Sequence, residues 1–234
     1  MNLPRGLVAL AALILFLQPV AAAGAELRTL RLSDGTEITF AIALPENFQS
    51  GKAYPALLTF PGGRQSIQSV KRSFERFWEV EARNRGFILI SPAAPQGQPF
   101  FEEGAVHVPE FLRHILSTYS IRGGKFHLAG NSNGGVSAFR AAVRFPELFR
   151  SLTVLAGFPT EPEDVAQLAR LRSLVINMFV GDGDLYWKEG MESTRQRLAE
   201  LGKDVYFEVI PKNGHFLPDL SFENSGRIFD HIQP

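Results

Sequence analysis

Short apolar runs alternate along this chain with segments whose apolar residues recur every three or four positions, and that alternation constrains the fold more than any other feature. Residues 54–60 (YPALLTF), 86–90 (GFILI), 125–129, 152–156, 174–180 (LVINMFV) and 205–210 read as strands. Residues 69–84, 106–119, 132–144, 164–171, 189–201 and 222–232 fall between or after them and read as helices. Strands buried on both faces and separated by helices require a mostly parallel sheet covered on both sides. Residues 27–32 and 37–44 flank the turn Ser33-Asp34-Gly35 and read as an antiparallel hairpin added at one edge. No linker, repeat or low-complexity stretch divides the chain, so residues 26–234 are expected to form one domain.

The first 25 residues have a different character. Arg5 gives a short positive start, residues 7–17 (LVALAALILFL) are uninterruptedly apolar, and Ala23-Gly24-Ala25 offers a small-residue cleavage site. This is the layout of a secretory signal peptide, and the apolar run is too short for the roughly 20 residues that a membrane span needs. The protein is therefore expected to be exported, to the periplasm or the medium, with no stable membrane span in the mature chain. The sequence contains no cysteine, which excludes disulfides, thiolate metal sites and a lipid anchor built on cysteine. With 24 basic and 24 acidic residues the net charge is zero. Nothing suggests a polyanion-binding surface, and no nucleic-acid partner is expected.

In an open α/β sheet, reactive groups gather at the carboxyl ends of the strands. Three residues fall there in a telling order. Ser132 follows strand 125–129 and opens a helix, Asp184 follows strand 174–180, and His215 follows strand 205–210. Ser132 is the centre of Gly130-Asn131-Ser132-Asn133-Gly134, a G-x-S-x-G turn whose glycines let strand and helix approach closely. A serine hydroxyl is a weak nucleophile and needs a base within reach, the role open to His215, with a carboxylate to hold the imidazole tautomer. Asp182 competes with Asp184 for that last role. Each residue also has a structural reading: Ser132 as a helix N-cap, His215 as a loop histidine, Asp184 as a turn carboxylate. The order Ser, Asp, His is what favours the catalytic one. Two backbone N–H groups are needed for a tetrahedral oxyanion, and Asn133 and Gly63, in the loop after strand 54–60, are the candidates. Phe100, Phe101, Phe158 and Phe216 lie in loops at the same end, where each could line a substrate pocket or pin its loop to the core. His107, near a helix start, could contact substrate there. No set of carboxylates completes a metal site.

The stretch HLAGNSNGGVSAFRAAVRFPELFRSLTVLAGFP resembles the nucleophile region of small secreted α/β-hydrolase serine esterases, nearest to the polyhydroxybutyrate depolymerase and feruloyl esterase-like group. That resemblance implies carboxylic ester hydrolysis with no metal or organic cofactor. GDGD, residues 181–184, is similar to the group's acid turn and selects Asp184 over Asp182. NGH, residues 213–215, resembles its ending. Where the group usually has His-Gly after the third core strand, this chain has Pro61-Gly62. Few residues separate strands 152–156 and 174–180, so an α/β-hydrolase fold without a large cap is expected, open to small or polymer-linked esters. Peptidases, thioesterases, dienelactone hydrolase-like enzymes and non-catalytic binding modules share the scaffold and remain alternatives.

Overall fold

The computed structural model describes residues 24–232, so the leader expected over residues 1–25 lies outside the described residues except at its last two positions. Eight strands form one sheet: β1 Glu26–Arg31, β2 Glu37–Ala43, β3 Ala56–Phe60, β4 Ile88–Pro92, β5 Phe126–Asn131, β6 Phe149–Leu155, β7 Val175–Gly181 and β8 Tyr206–Ile210. Their order across the sheet is β1-β2-β4-β3-β5-β6-β7-β8. β1 pairs antiparallel with β2, and β2 antiparallel with β4, while every pairing from β4 to β8 is parallel. The hairpin turn closes as its residues dictate: Asp34 Oδ1 accepts from the Thr36 N–H at 2.8 Å and Gly35 takes φ +87°. The chain thus has an α/β-hydrolase fold.

Alternation along the strands sorts the core into two layers. Leu58, Phe60, Ile88, Ile90, Phe126 and Leu128 face helices α3 Val108–Thr118, α4 Asn133–Arg144 and α6 Leu185–Glu200. Leu57, Leu89, Ala129, Leu155 and Phe179 face α1 Ile67–Ser73, α2 Glu79–Asn84 and α7 Gly226–Phe229. Neighbouring residues such as Leu57 and Leu58 are both fully buried, which explains why these strands read as continuous apolar runs.

The helix expected over residues 69–84 is three pieces. Ser66 Oγ accepts from the Ser69 N–H and starts α1 earlier than the apolar pattern does. α1 then runs through a π-helical turn, Phe74–Trp78, into α2. Phe74, Phe77 and Trp78 bury against the same side of the sheet at the i, i+3, i+4 spacing of one helical face, and the π turn widens the helix at that point. The final helix is likewise shorter than expected. Phe222 has φ +53° and begins only a 3₁₀ turn, and α7 is four residues long. Among the described residues no large cap covers the carboxyl ends: the chain between β6 and β7 holds α5 Pro162–Ala166 and a 3₁₀ stretch, Leu168–Ser173. Asp164 of α5 is fully buried. Arg140 Nε donates to it at 2.8 Å, and Arg144 Nε lies at 3.8 Å.

His127, the second residue of β5, is 3% exposed, with Nδ1 2.8 Å from Ser151 Oγ and Nε2 without a partner. Burial, then the nearby Arg150 and Arg122, push its pKa down to about 4. A histidine depressed in the fold binds its proton more readily in the unfolded chain. Its contribution to stability is therefore complete above its unfolded value of about 6.5 and is lost as pH falls toward 4. Urea midpoints measured from pH 6.5 to 4 should fall by the equivalent of up to about 3 kcal/mol from this group alone. His127→Gln, which cannot charge, should flatten that slope.

Candidate active site

β5 ends at Asn131 and α4 begins at Asn133, so one residue, Ser132, makes the whole turn. It adopts φ +56°, ψ −129°, a region costing about 1–3 kcal/mol for a residue with a side chain. The strain is held by hydrogen bonds from Ser132 N to Leu155 O at 2.9 Å and from Gly135 N to Ser132 O at 2.7 Å. Glycine is obligatory on both sides. A Cβ on Gly130 would lie 2.1 Å from Gly134 O, and one on Gly134 would lie 2.0 Å from Phe60 O. The result projects the Ser132 side chain above the sheet.

β7 delivers Asp184, at the start of α6. It occupies the N-cap position but makes no capping bond with its side chain, because its Oδ2 lies 2.7 Å from His215 Nδ1. Asp182 is exposed, and only its backbone N–H is engaged, to Ile210 O. His215 Nε2 in turn lies 2.9 Å from Ser132 Oγ. The structure thus brings Ser132, His215 and Asp184 into one hydrogen-bonded chain and leaves Asp182 outside it. The Asp184 side chain is 12% exposed and that of His215 31%, so the carboxylate is shielded while the ring edge stays reachable. His107 is elsewhere, 3.7 Å from Asp34 at the hairpin.

Residues with no signature in the sequence complete the site. Trp187, one turn into α6, stacks on the His215 ring, with centroids 5.5 Å apart and planes 27° apart. Asn213 is buried and fastens the His215 loop. Its Nδ2 donates to Asp219 Oδ2 at 2.9 Å, and its Oδ1 accepts from the Asp219 N–H at 3.1 Å. Gln65 is fully buried at φ +60° and clamps the loop after β3. Its Nε2 donates to Ser137 Oγ at 2.8 Å and to Pro61 O at 3.2 Å, and its Oε1 accepts from the Phe100 N–H at 2.7 Å. The chain that departs from the usual pattern at Pro61 is therefore pinned by side-chain bonds immediately after it. Gly63 has φ +64°, and its carbonyl accepts from Asn133 Nδ2 at 3.2 Å, tying the two oxyanion candidates together.

A cavity of 490 Å³ opens beside Ser132, with Gly62, Gly63, Phe77, His215 and Phe216 among its walls. Of the four phenylalanines that could line a pocket, only Phe216 does. Phe100 is 1% exposed and packs against Phe60 at 4.6 Å, because its backbone is drawn inward by Gln65. Phe101 is half-buried away from the cavity. Phe158 packs against Trp187 and Tyr186, behind the histidine. Among the described residues, no three His, Asp or Glu side chains gather as a metal site, and no helix is long and apolar enough to cross a membrane.

The fold is that of the α/β-hydrolases. Residues 33–206 match the model of the Esterase family, described as "Putative esterase", and the chain belongs to that family. Among solved structures, a thermostable esterase aligns with a TM-score of 0.69 at 19% identity, over 89% of this chain and 60% of the other. A ferulic acid esterase aligns with a TM-score of 0.69 at 18% identity, over 88% of this chain and 98% of the other. The dipeptidyl peptidase 4 of Porphyromonas gingivalis aligns with a TM-score of 0.68 at 15% identity, over 88% of this chain and 35% of the other. The chain thus spans less than two thirds of two of these proteins and nearly all of the ferulic acid esterase. No curated protein matches it in sequence.

The contact at Gly134 gives a direct test of the turn. Gly134→Ala should lower unfolding free energy by about 3 kcal/mol, read from urea denaturation, because backbone on both sides must move to admit one methyl group.

Proposed function

We propose that this protein is an exported serine hydrolase that cleaves carboxylic esters through an acyl-enzyme. The observation that carries the reading is the hydrogen-bonded chain Ser132–His215–Asp184, at 2.9 and 2.7 Å, at the mouth of a cavity. Ser132 Oγ attacks the ester carbonyl while its proton passes to His215 Nε2. Asp184 holds the Nδ1–H tautomer and stabilises the imidazolium. The negative charge moves to the carbonyl oxygen, between the N–H groups of Gly63 and Asn133. Collapse breaks the ester C–O bond, and the departing alcohol takes the proton from His215. Water then repeats the sequence on the acyl-enzyme, releasing the acid and restoring Ser132. The groups supplied by these side chains suffice for the hydrolysis of esters. The substrate is small or polymer-linked, since no cap closes over the cavity. A peptidase fold neighbour keeps amide hydrolysis as the second reading. Export rests on the charge, apolar run and small-residue site of residues 1–25.

Hydrolysis of p-nitrophenyl acetate and butyrate should be readily measured, and Ser132→Ala should lower kcat by a factor on the order of 10³–10⁶ with its circular dichroism unchanged. A fluorophosphonate should label the native chain and not the variant. Undiminished hydrolysis by Ser132→Ala would remove the assignment, and faster turnover of matched peptide or thioester substrates would move it to the second reading. Produced with its leader in a bacterial host, the protein recovered outside the cytoplasm should begin at or near Glu26 by mass spectrometry.

A further inference from the structure

One wall of the cavity is built by α1 and the π turn and includes Arg76 and the exposed Arg72. Several arginines have a defined carboxylate partner: Arg140 with Asp164, Arg85 with Glu81 and Asp230, Arg227 with Glu208, and Arg28 with Glu26. Arg72 and Arg76 form no ion pair with any described residue. Glu75 is the one carboxylate among the lining residues; it is exposed and bonds to neither arginine.

Arg76 is nevertheless held in place. Its Cζ lies 5.9 Å from the ring centre of Phe77, 5.8 Å from that of Phe216 and 5.6 Å from that of Phe222. Aromatic faces attract the cation without consuming its N–H donors, which leaves the planar fork available to an acceptor. Phe216 is 73% exposed and Phe222 49%, and the two rings meet Arg76 in one apolar patch at the cavity. Ser132, two cations and three aromatic rings therefore share one cavity. A guanidinium fork matches a carboxylate in a bidentate pair, and the rings accommodate the carbon skeleton beside it.

Building on the serine esterase reading, we propose that this cavity selects esters that carry an anionic group, a carboxylate above all, held by Arg76 with Arg72 beside it. The anion sits on the acyl or on the alcohol side of the scissile bond, and matched pairs of substrates separate the two. The mono-p-nitrophenyl ester of glutaric acid against p-nitrophenyl valerate places the charge on the acyl group. 4-Acetoxybenzoate against 4-acetoxybenzamide places it on the alcohol.

For at least one pair, kcat/KM should be about tenfold higher for the anionic ester, and that ratio should shrink as salt is raised. Arg76→Gln and Arg72→Gln should each bring the ratio toward one. Arg76→Lys should keep part of it, since the charge stays and the fork is lost. Titration of the Ser132→Ala protein with benzoate and benzamide reads binding without chemistry, and benzoate should bind more tightly. Ratios at or below one for both pairs, or ratios that survive both Gln substitutions, would overturn the proposal. So would equal binding of benzoate and benzamide, and this arm decides the matter even if the protein hydrolyses none of the esters, an outcome that would count against the esterase reading.

Discussion

Helix α4 meets the sheet at a distance that no side chain permits. The Gly134 backbone lies against the Phe60 carbonyl, and Gly130 against Gly134, so strand β5, strand β3 and the start of α4 are locked together by main-chain contact. Everything at the carboxyl edge takes its position from that contact. It forces Ser132 into a strained conformation and aims its hydroxyl upward. It also sets Asn133, whose side chain bonds to Gly63 O, beside the loop from β3 and fixes the point that the arms from β7 and β8 must reach. The energy that pays for the strain comes from the sheet itself, whose strands β3 to β7 are buried on both faces.

The arms are tied to one another as firmly as to the sheet. Asp182 N donates to Ile210 O and Gly183 N to Asn213 O, so the acid turn and the histidine loop move as one piece. Asn213 and Asp219 close the far side of that loop, and Trp187 covers the imidazole face. On the opposite side, Ser73 Oγ donates to Asn131 Oδ1 at 2.6 Å while Trp78 Nε1 donates to Ser73 Oγ at 3.3 Å, coupling the π turn to the residue before Ser132. Hydrogen bonding of this kind preorganises a site, because little remains to be ordered when substrate arrives.

How much of this was legible in the sequence follows from the range of the interactions. Strands such as β4 and β7 declare themselves because burial on both faces demands an unbroken apolar run. The sequential placement of Ser132, Asp184 and His215 after three strands was likewise readable, since topology alone brings those strand ends to one edge. The π turn was not readable: Phe74, Phe77 and Trp78 carry the i, i+3, i+4 spacing of an ordinary helical face, which gives no sign that the helix widens there. Phe100, open in the sequence to a pocket or a core role, goes to the core because Gln65, distant in sequence and buried itself, accepts its backbone N–H. The basic wall made by Arg72 and Arg76 was hidden for the same reason. Their charges are ordinary in the sequence and acquire meaning only when Phe216 and Phe222 fold across from them.

The two tryptophans of the chain are both built into this region. Trp187 lies flat on the histidine, and Trp78 is bonded to the serine that braces the nucleophile turn. The rest of the molecule contains no indole. Its ultraviolet emission is consequently an intrinsic gauge of the reactive edge, sensitive on one side to the charge on an imidazole and on the other to the packing behind Asn131. Light collected from the native protein reports on those few side chains and is nearly blind to the antiparallel hairpin at the far edge of the sheet.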